Sequence, residues 1–180
     1  QSRYFENTFA APTQYYVDAT TWDDNNNGTS DVTPWASVAK VNAEALSGTI
    51  LPWDTIYFRC GDSWGWEDLT IITNSITFDG YQAPSWWTCG YGTRPIIRSI
   101  TANGVSWVNV NGLDVRATNA GSALDFANAS NITFYNNAFS NTVWSCLSFI
   151  TGTGLLLDSN TFSSCTYAFS GANIAWTFSN

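Results

Sequence analysis

The side chains able to do chemistry are few in this sequence, and they are dispersed. There is no His, and 14 acidic residues stand against 6 basic ones. Asp79, Asp114, Asp125 and Asp158 fall at different offsets within their segments. Carboxylate pairs that cleave glycosidic bonds need a fixed separation, and no register of the sequence supplies one. Asp114, with Arg116 and Arg98, is the one acid–base grouping that stands close in the pattern. Without His there is no Ser–His or Cys–His nucleophile. The sequence therefore assigns no catalytic residue, and surface charge is the plain reading of these groups.

Three other sets invite a binding role. In "DDNNNGTSD", Asp23, Asn25, Asn27 and Gly28 match the opening of a Ca2+ loop, with Asp31 at the ninth position. Pro34 stands where the bidentate Glu belongs, and Asp, Asn and Gly suit turns on their own account. Ca2+ is thus the only cofactor the sequence suggests, and none is required. Trp64, Trp66, Trp86 and Trp87 lie in turn-rich segments, where they serve either packing or stacking on sugar rings. Sequons at Asn27, Asn128 and Asn131 are candidate glycosylation sites.

Composition bounds the class. Of 180 residues, 44% are hydrophobic and 16% aromatic, so one domain can bury a large core. Charged residues make up only 11%, and the net charge is −8. A single Lys and five Arg form no basic patch, which argues against nucleic acid and anionic membranes as partners. No apolar run approaches the roughly 18–20 residues of a membrane span. Four Cys without a zinc spacing, and a first residue that is Gln rather than Met, point to a secreted or cell-surface protein.

The elements that must position these groups show in the second half as repeats. "NITFYNNAF", "GLLLDSNTF" and "NIAWTFSN" align, with Ile132, Leu155 and Ile174 at spacings of 23 and 19. A shorter strand precedes each, ending at Phe126, Phe149 and Phe169. Short alternating strands at this period describe coils of a parallel β-helix, stacked about 4.8 Å apart. The expected inner columns are Phe126/Phe149/Phe169, Ile132/Leu155/Ile174 and Phe134/Leu157/Trp176. Asn137 and Asn160 recur at one position and are read as a stacked amide ladder. Cys146 and Cys165 are about one coil apart, which predicts a disulfide and leaves Cys60 to pair with Cys89.

The first half differs. "DVTPWASVAKVNAEALSG" predicts a helix near residues 34–46, capped by Thr33, with Pro34 in its first turn and Gly48 at its end. Its apolar face would carry Trp35, Val38, Val41 or Asn42, and Ala45 or Leu46. The stretch "YYVDATTWDDNNNGTSDVTPWASVAKVNAEALSGTILPWDTIYFRCGDSW" resembles the head of pectate-lyase-like right-handed β-helix proteins. The resemblance runs from about Tyr15 to the C-terminus. It implies an all-β, right-handed, single-stranded parallel β-helix spanning residues 15–180, with a short N-terminal cap helix. Members include polysaccharide lyases, which use clustered carboxylates with Ca2+, and glycoside hydrolases, which use clustered Asp.

Residues 1–14 form an extension outside that head. Ile174, Trp176 and Phe178 read as a final strand with nothing after it, an edge that invites pairing. The expectation from both ends is a self-assembling filament or surface-layer subunit. In it, Phe5 and Phe9 of one copy cover Ile174, Trp176 and Phe178 of the next. The alternatives are a polysaccharide-degrading β-helix, truncated or minimal, and a carbohydrate-binding or adhesive module. Their partner would be polysaccharide instead of further copies of the chain.

Overall fold

A computed structural model describes residues 10–20, 23–80, 87, 93–118, 121–140, 143 and 145–179, with backbone alone for 172–179. Twelve strands and one helix account for the ordered elements among these residues, and every pairing between named strands is parallel.

The strands stack in three ladders. The first joins β1 (Gln14–Val17), β2 (Thr55–Phe58), β4 (Thr77–Asp79) and β6 (Ser106–Asn111). It continues into the C-terminal halves of β8 (Leu124–Tyr135), β10 (Ser145–Asp158) and β12 (Tyr167–Ser179). The second joins β3 (Ser63–Ile71) and β5 (Ile96–Asn103) to the N-terminal halves of β8, β10 and β12. The third runs from the start of β5 through β7 (Asp114–Arg116), β9 (Ala138–Ser140) and β11 (Thr161–Ser163).

Alternation of side chains builds the core. On the first ladder Ile76 and Phe78, Val108 and Val110, Ile132 and Phe134, and Leu155 and Leu157 are buried. The residues between them face outward, because successive strand residues point to opposite faces. Burying one such apolar side chain contributes about 1.5–3 kcal/mol. The Phe126 and Phe149 rings stack at 6.2 Å with 8° between planes.

The repeats align as expected through the second of them: Phe126 pairs with Phe149, Ile132 with Leu155, and Phe134 with Leu157. The third is shifted by two residues. Phe169 pairs with Leu147, Trp176 with Leu155, and Phe178 with Leu157, while Ile174 meets Gly152. A two-residue shift keeps every side chain on its face, so alternation alone does not reveal it.

The helix also begins later than expected. α1 spans Val38–Ser47, and Ser37, not Thr33, is its N-cap, accepting from Lys40 N. Residues before it are held by other bonds. Trp35 bridges to Val17, with Asp18 N donating to Trp35 O at 2.8 Å. The Asp24 carboxylate accepts from Ala36 N, Ser37 N and Ser37 Oγ. Gly48 ends the helix at φ 80°, where a left-handed residue closes the last turn. Val38 and Val41 are its buried face; Leu46 is 80% exposed and takes no part.

Asn137 is fully buried and fully bonded. Its amide donates to Val110 O and Asn160 Oδ1, and its Oδ1 accepts from Leu113 N. Asn160 repeats the pattern by donating to Phe134 O at 2.8 Å. A disulfide joins Cys146 and Cys165 with Cα atoms 5.5 Å apart. Cys60 is also disulfide-bonded, and Cys89 lies outside the described residues. The chain is thus all-β with parallel strands and one short helix.

Candidate functional site

An open groove of about 430 Å3 runs along one outer corner of the first ladder. A volume of that order suits a small-molecule or oligomer ligand. Two rows of residues line it. Thr77, Asn109, Thr133 and Leu156 are direct partners from β4 through β10. Two residues earlier on each strand stand Ser75, Trp107, Asn131 and Gly154, and Trp53 stands two before Thr55, the β2 partner of Thr77.

That second row is conformationally unusual. Trp53, Ser75, Trp107, Asn131 and Gly154 all have positive φ, at 78°, 54°, 60°, 54° and 69°. Gly takes this conformation at no steric cost, and Asn tolerates it. For a bulky residue it is a genuine outlier. The backbone around the two Trp residues is firmly held. The buried Asp54 carboxylate accepts from Thr13 N and Leu51 N, at 2.6 and 2.7 Å, and so staples the Trp53 turn. Asn74 Oδ1 accepts from Ser106 N at 2.8 Å, beside Trp107. Yet the Trp side chains face solvent, Trp53 at 66% and Trp107 at 60% exposure. A Cβ at Gly154 would lie 2.6 Å from Asn131 Oδ1, and its φ of 69° disfavours any side chain.

No lining residue is charged. Two indole faces, hydroxyls and amides make a surface for stacking and neutral hydrogen bonds. The next outward position along the same strands carries Asp79, Asn111, Tyr135 and Asp158. Three strand steps separate the two carboxylates, about 14 Å at the ladder spacing. Glycoside hydrolysis uses separations up to about 9.5 Å.

A second carboxylate pair lies elsewhere. Asp18 accepts from Thr20 and from Arg59 Nη1 at 2.9 Å, while Asp62 accepts from Ala19 N at 2.8 Å. Burial, with the Asp18 charge adding, pushes the Asp62 carboxyl up to about 6. Burial acts the same way on Asp18, but bonds from Thr20 and the Arg59 charge outweigh it and hold that carboxyl low. The pair clamps β1 to the turn after β2.

The other sequence candidates fall in several places. Trp64 is a core residue, not a sugar platform. It is 3% exposed, its indole donates to Ala36 O, and its ring packs on Phe58 at 5.4 Å. Trp66 is 82% exposed on β3, outside the groove. Trp87 meets the Tyr16 ring edge-on at 5.8 Å, and Trp86 lies outside the described residues. Arg98 does not join Asp114; it pairs with Asp68, holding that carboxyl below its ordinary range, while Arg116 takes Asp114. Asp23 Oδ1 accepts from Asn25, and Asn27 Oδ1 from Thr29 N and Thr33 Oγ1, which are turn bonds within the loop. Among the described residues no three His, Cys, Asp or Glu cluster as metal ligands. Asn128 is bonded to Asn103 and Thr151, whereas Asn131 lines the groove. Phe5 and Phe9, and the side chains of Ile174, Trp176 and Phe178, lie outside the described residues.

Sequence reasoning missed Trp53 and Trp107. A signal for Trp107 was present in the burial interval. Val105 and Val108 are both buried, three apart, as are Ala129 and Ile132, so alternation slips phase where the chain turns the corner.

No protein-family model matches the sequence, and no curated protein does. Solved structures do resemble the fold. A GH136 lacto-N-biosidase from Eubacterium ramulus superposes with a TM-score of 0.62 at 11% identity, over 88% of this chain and 36% of that one. A protein from Parabacteroides merdae ATCC 43184, provisionally named a glycosyl hydrolase, superposes at 0.54 and 12% identity, over 92% and 94%. The chain spans about a third of the lacto-N-biosidase's length.

Proposed function

We propose that this chain is a secreted, glycan-binding, right-handed parallel β-helix of the pectate-lyase-like kind, working as or within a glycoside-hydrolase-like protein. Three parallel ladders with single-residue corners support the helix reading. The observation that carries the function is the pair Trp53 and Trp107: both exposed, both held in a left-handed conformation, both on one uncharged groove. Strained residues persist where the surrounding structure over-determines them, and they cluster at ligand sites.

Hydrolysis is the second reading, favoured by the likeness to a lacto-N-biosidase. The groove supplies the binding surface for it, and the carboxylates on the neighbouring outward row, Asp79 and Asp158, stand about 14 Å apart, beyond the spacing hydrolysis uses. The self-assembling reading draws on Phe5, Phe9 and the β12 side chains, and nothing in the described residues adds to it.

The test is a tryptophan-fluorescence titration of the intact chain with soluble oligosaccharides. Binding lost in Trp53→Ala and Trp107→Ala but kept in Trp66→Ala, with unchanged circular dichroism, is the expected result. Equal binding by all three variants would refute the groove as the site.

A further inference from the structure

The make-up of the groove narrows the ligand class, on the reading that the groove binds sugars. We infer that it takes an extended, uncharged oligosaccharide running across the strands, with alternate rings over Trp53 and Trp107, and that it rejects uronic-acid polymers.

Charge is the first ground. Nine residues line the groove and none is charged, in a chain of net charge −8. A polyuronide carries a carboxylate on every unit. It would meet no cation here, lose hydration on docking, and approach a protein of like sign.

Direction and length are the second. Trp53 N donates to Ser75 O and Ser75 N to Ser106 O, at 2.5 and 2.9 Å, so the Trp row steps from strand to strand. Five strands at about 4.8 Å make a track of about 19 Å, with the two Trp positions about 10 Å apart. Two pyranose rings joined through opposite sides of the chair advance roughly 5 Å per unit, close to one strand spacing of about 4.8 Å. The two indoles therefore serve alternate units, and the track holds about four. Thr77, Asn109 and Thr133 run beside the Trp row in direct register and offer neutral donors and acceptors to the ring hydroxyls. Leu156 and Gly154 line the far end of the track.

Isothermal titration of the intact chain with cello- and manno-oligosaccharides of two to six units, against galacturonate oligomers of equal length, decides it. Affinity should rise to about four units and then level. The galacturonates should bind at least about tenfold more weakly. Trp107→Ala should lower tetramer affinity about tenfold, the size of one lost stacking contact. Asn109→Lys, which puts a cation on an exposed position of the floor, should narrow the neutral-to-acidic gap. Galacturonates binding as well as neutral sugars, or a dimer binding as well as a hexamer, overturns this inference while leaving sugar binding intact. Binding by no member of either series overturns the glycan reading itself.

Discussion

At one corner of the stack Gly112, Asn136 and Ser159 turn the chain with φ of 66°, 52° and 56°; at another, Trp53 and Trp107 do so with φ of 78° and 60°. The backbone task is the same. At the first corner Gly112 and Asn136 serve the fold. Gly and Asn suit the conformation, Arg94 bonds the carbonyl and Oδ1 of Asn136, and the following Asn137 and Asn160 stitch strands together. At the second, the conformation disfavours Trp, and the indoles point to solvent. Residue choice that follows backbone need reads as architecture. Residue choice that opposes it reads as function.

The comparison predicts that the two corners fail differently. Asn137→Leu should cost about 3 kcal/mol, because Leu113 N–H and Val110 C=O lose their buried partner. Chemical denaturation checks the loss, and the folded fraction should keep its oligosaccharide affinity. A variant that is stable but has lost binding would break the separation between the corners.

pH should separate them as well. No titratable group lines the groove, so affinity per folded molecule should stay flat between about pH 4.5 and 6.5. Stability should not. The folded-state pKa of Asp62, about 6, lies above its ordinary 3.8. Its contribution is therefore full below about 3.8 and is lost as pH rises through about 6. Melting temperatures across that range should fall with rising pH, and Asp62→Asn should flatten the fall. An unchanged slope in that variant would remove Asp62 as its source.

A third corner gives the smallest effect. Asn128 has φ 51° and is linked to Asn103 and Thr151, at 3.0 and 2.7 Å. Asn128→Ala should cost about 0.5–1 kcal/mol, one exposed ladder bond and a less tolerant left-handed residue, with no change in sugar affinity. Thermal melts and one titration suffice.

The ladder side of this comparison was legible in the sequence, and the Trp side was not. Phe126, Ile132 and Phe134 find their partners one repeat later because burial imposes a period of two. The third repeat escaped because a slip of two residues in register leaves a pattern of alternation unchanged, so the sequence carries no mark of it. Thr33 and Pro34 carry helix-start chemistry, yet the remote Asp24 carboxylate and the Val17–Trp35 bridge fixed the start at Ser37. Both are tertiary effects. Trp107 reads as one more strand residue in "VSWVNV": no residue type marks a left-handed Trp, and the three-residue interval from Val105 to Val108 is a slight cue. Trp64 and Trp66 share one turn-rich segment in the sequence, and only burial tells core from surface.

The most direct test of the central claim replaces Trp53 and Trp107 by Gly, singly and together, and reads stability and oligosaccharide binding on the same samples. Relief of the left-handed strain, less the greater chain entropy of Gly, should raise stability by about 0.5–1 kcal/mol per site while binding is lost. If the Gly variants are less stable and bind as well as the parent, the two tryptophans serve the fold and not a ligand.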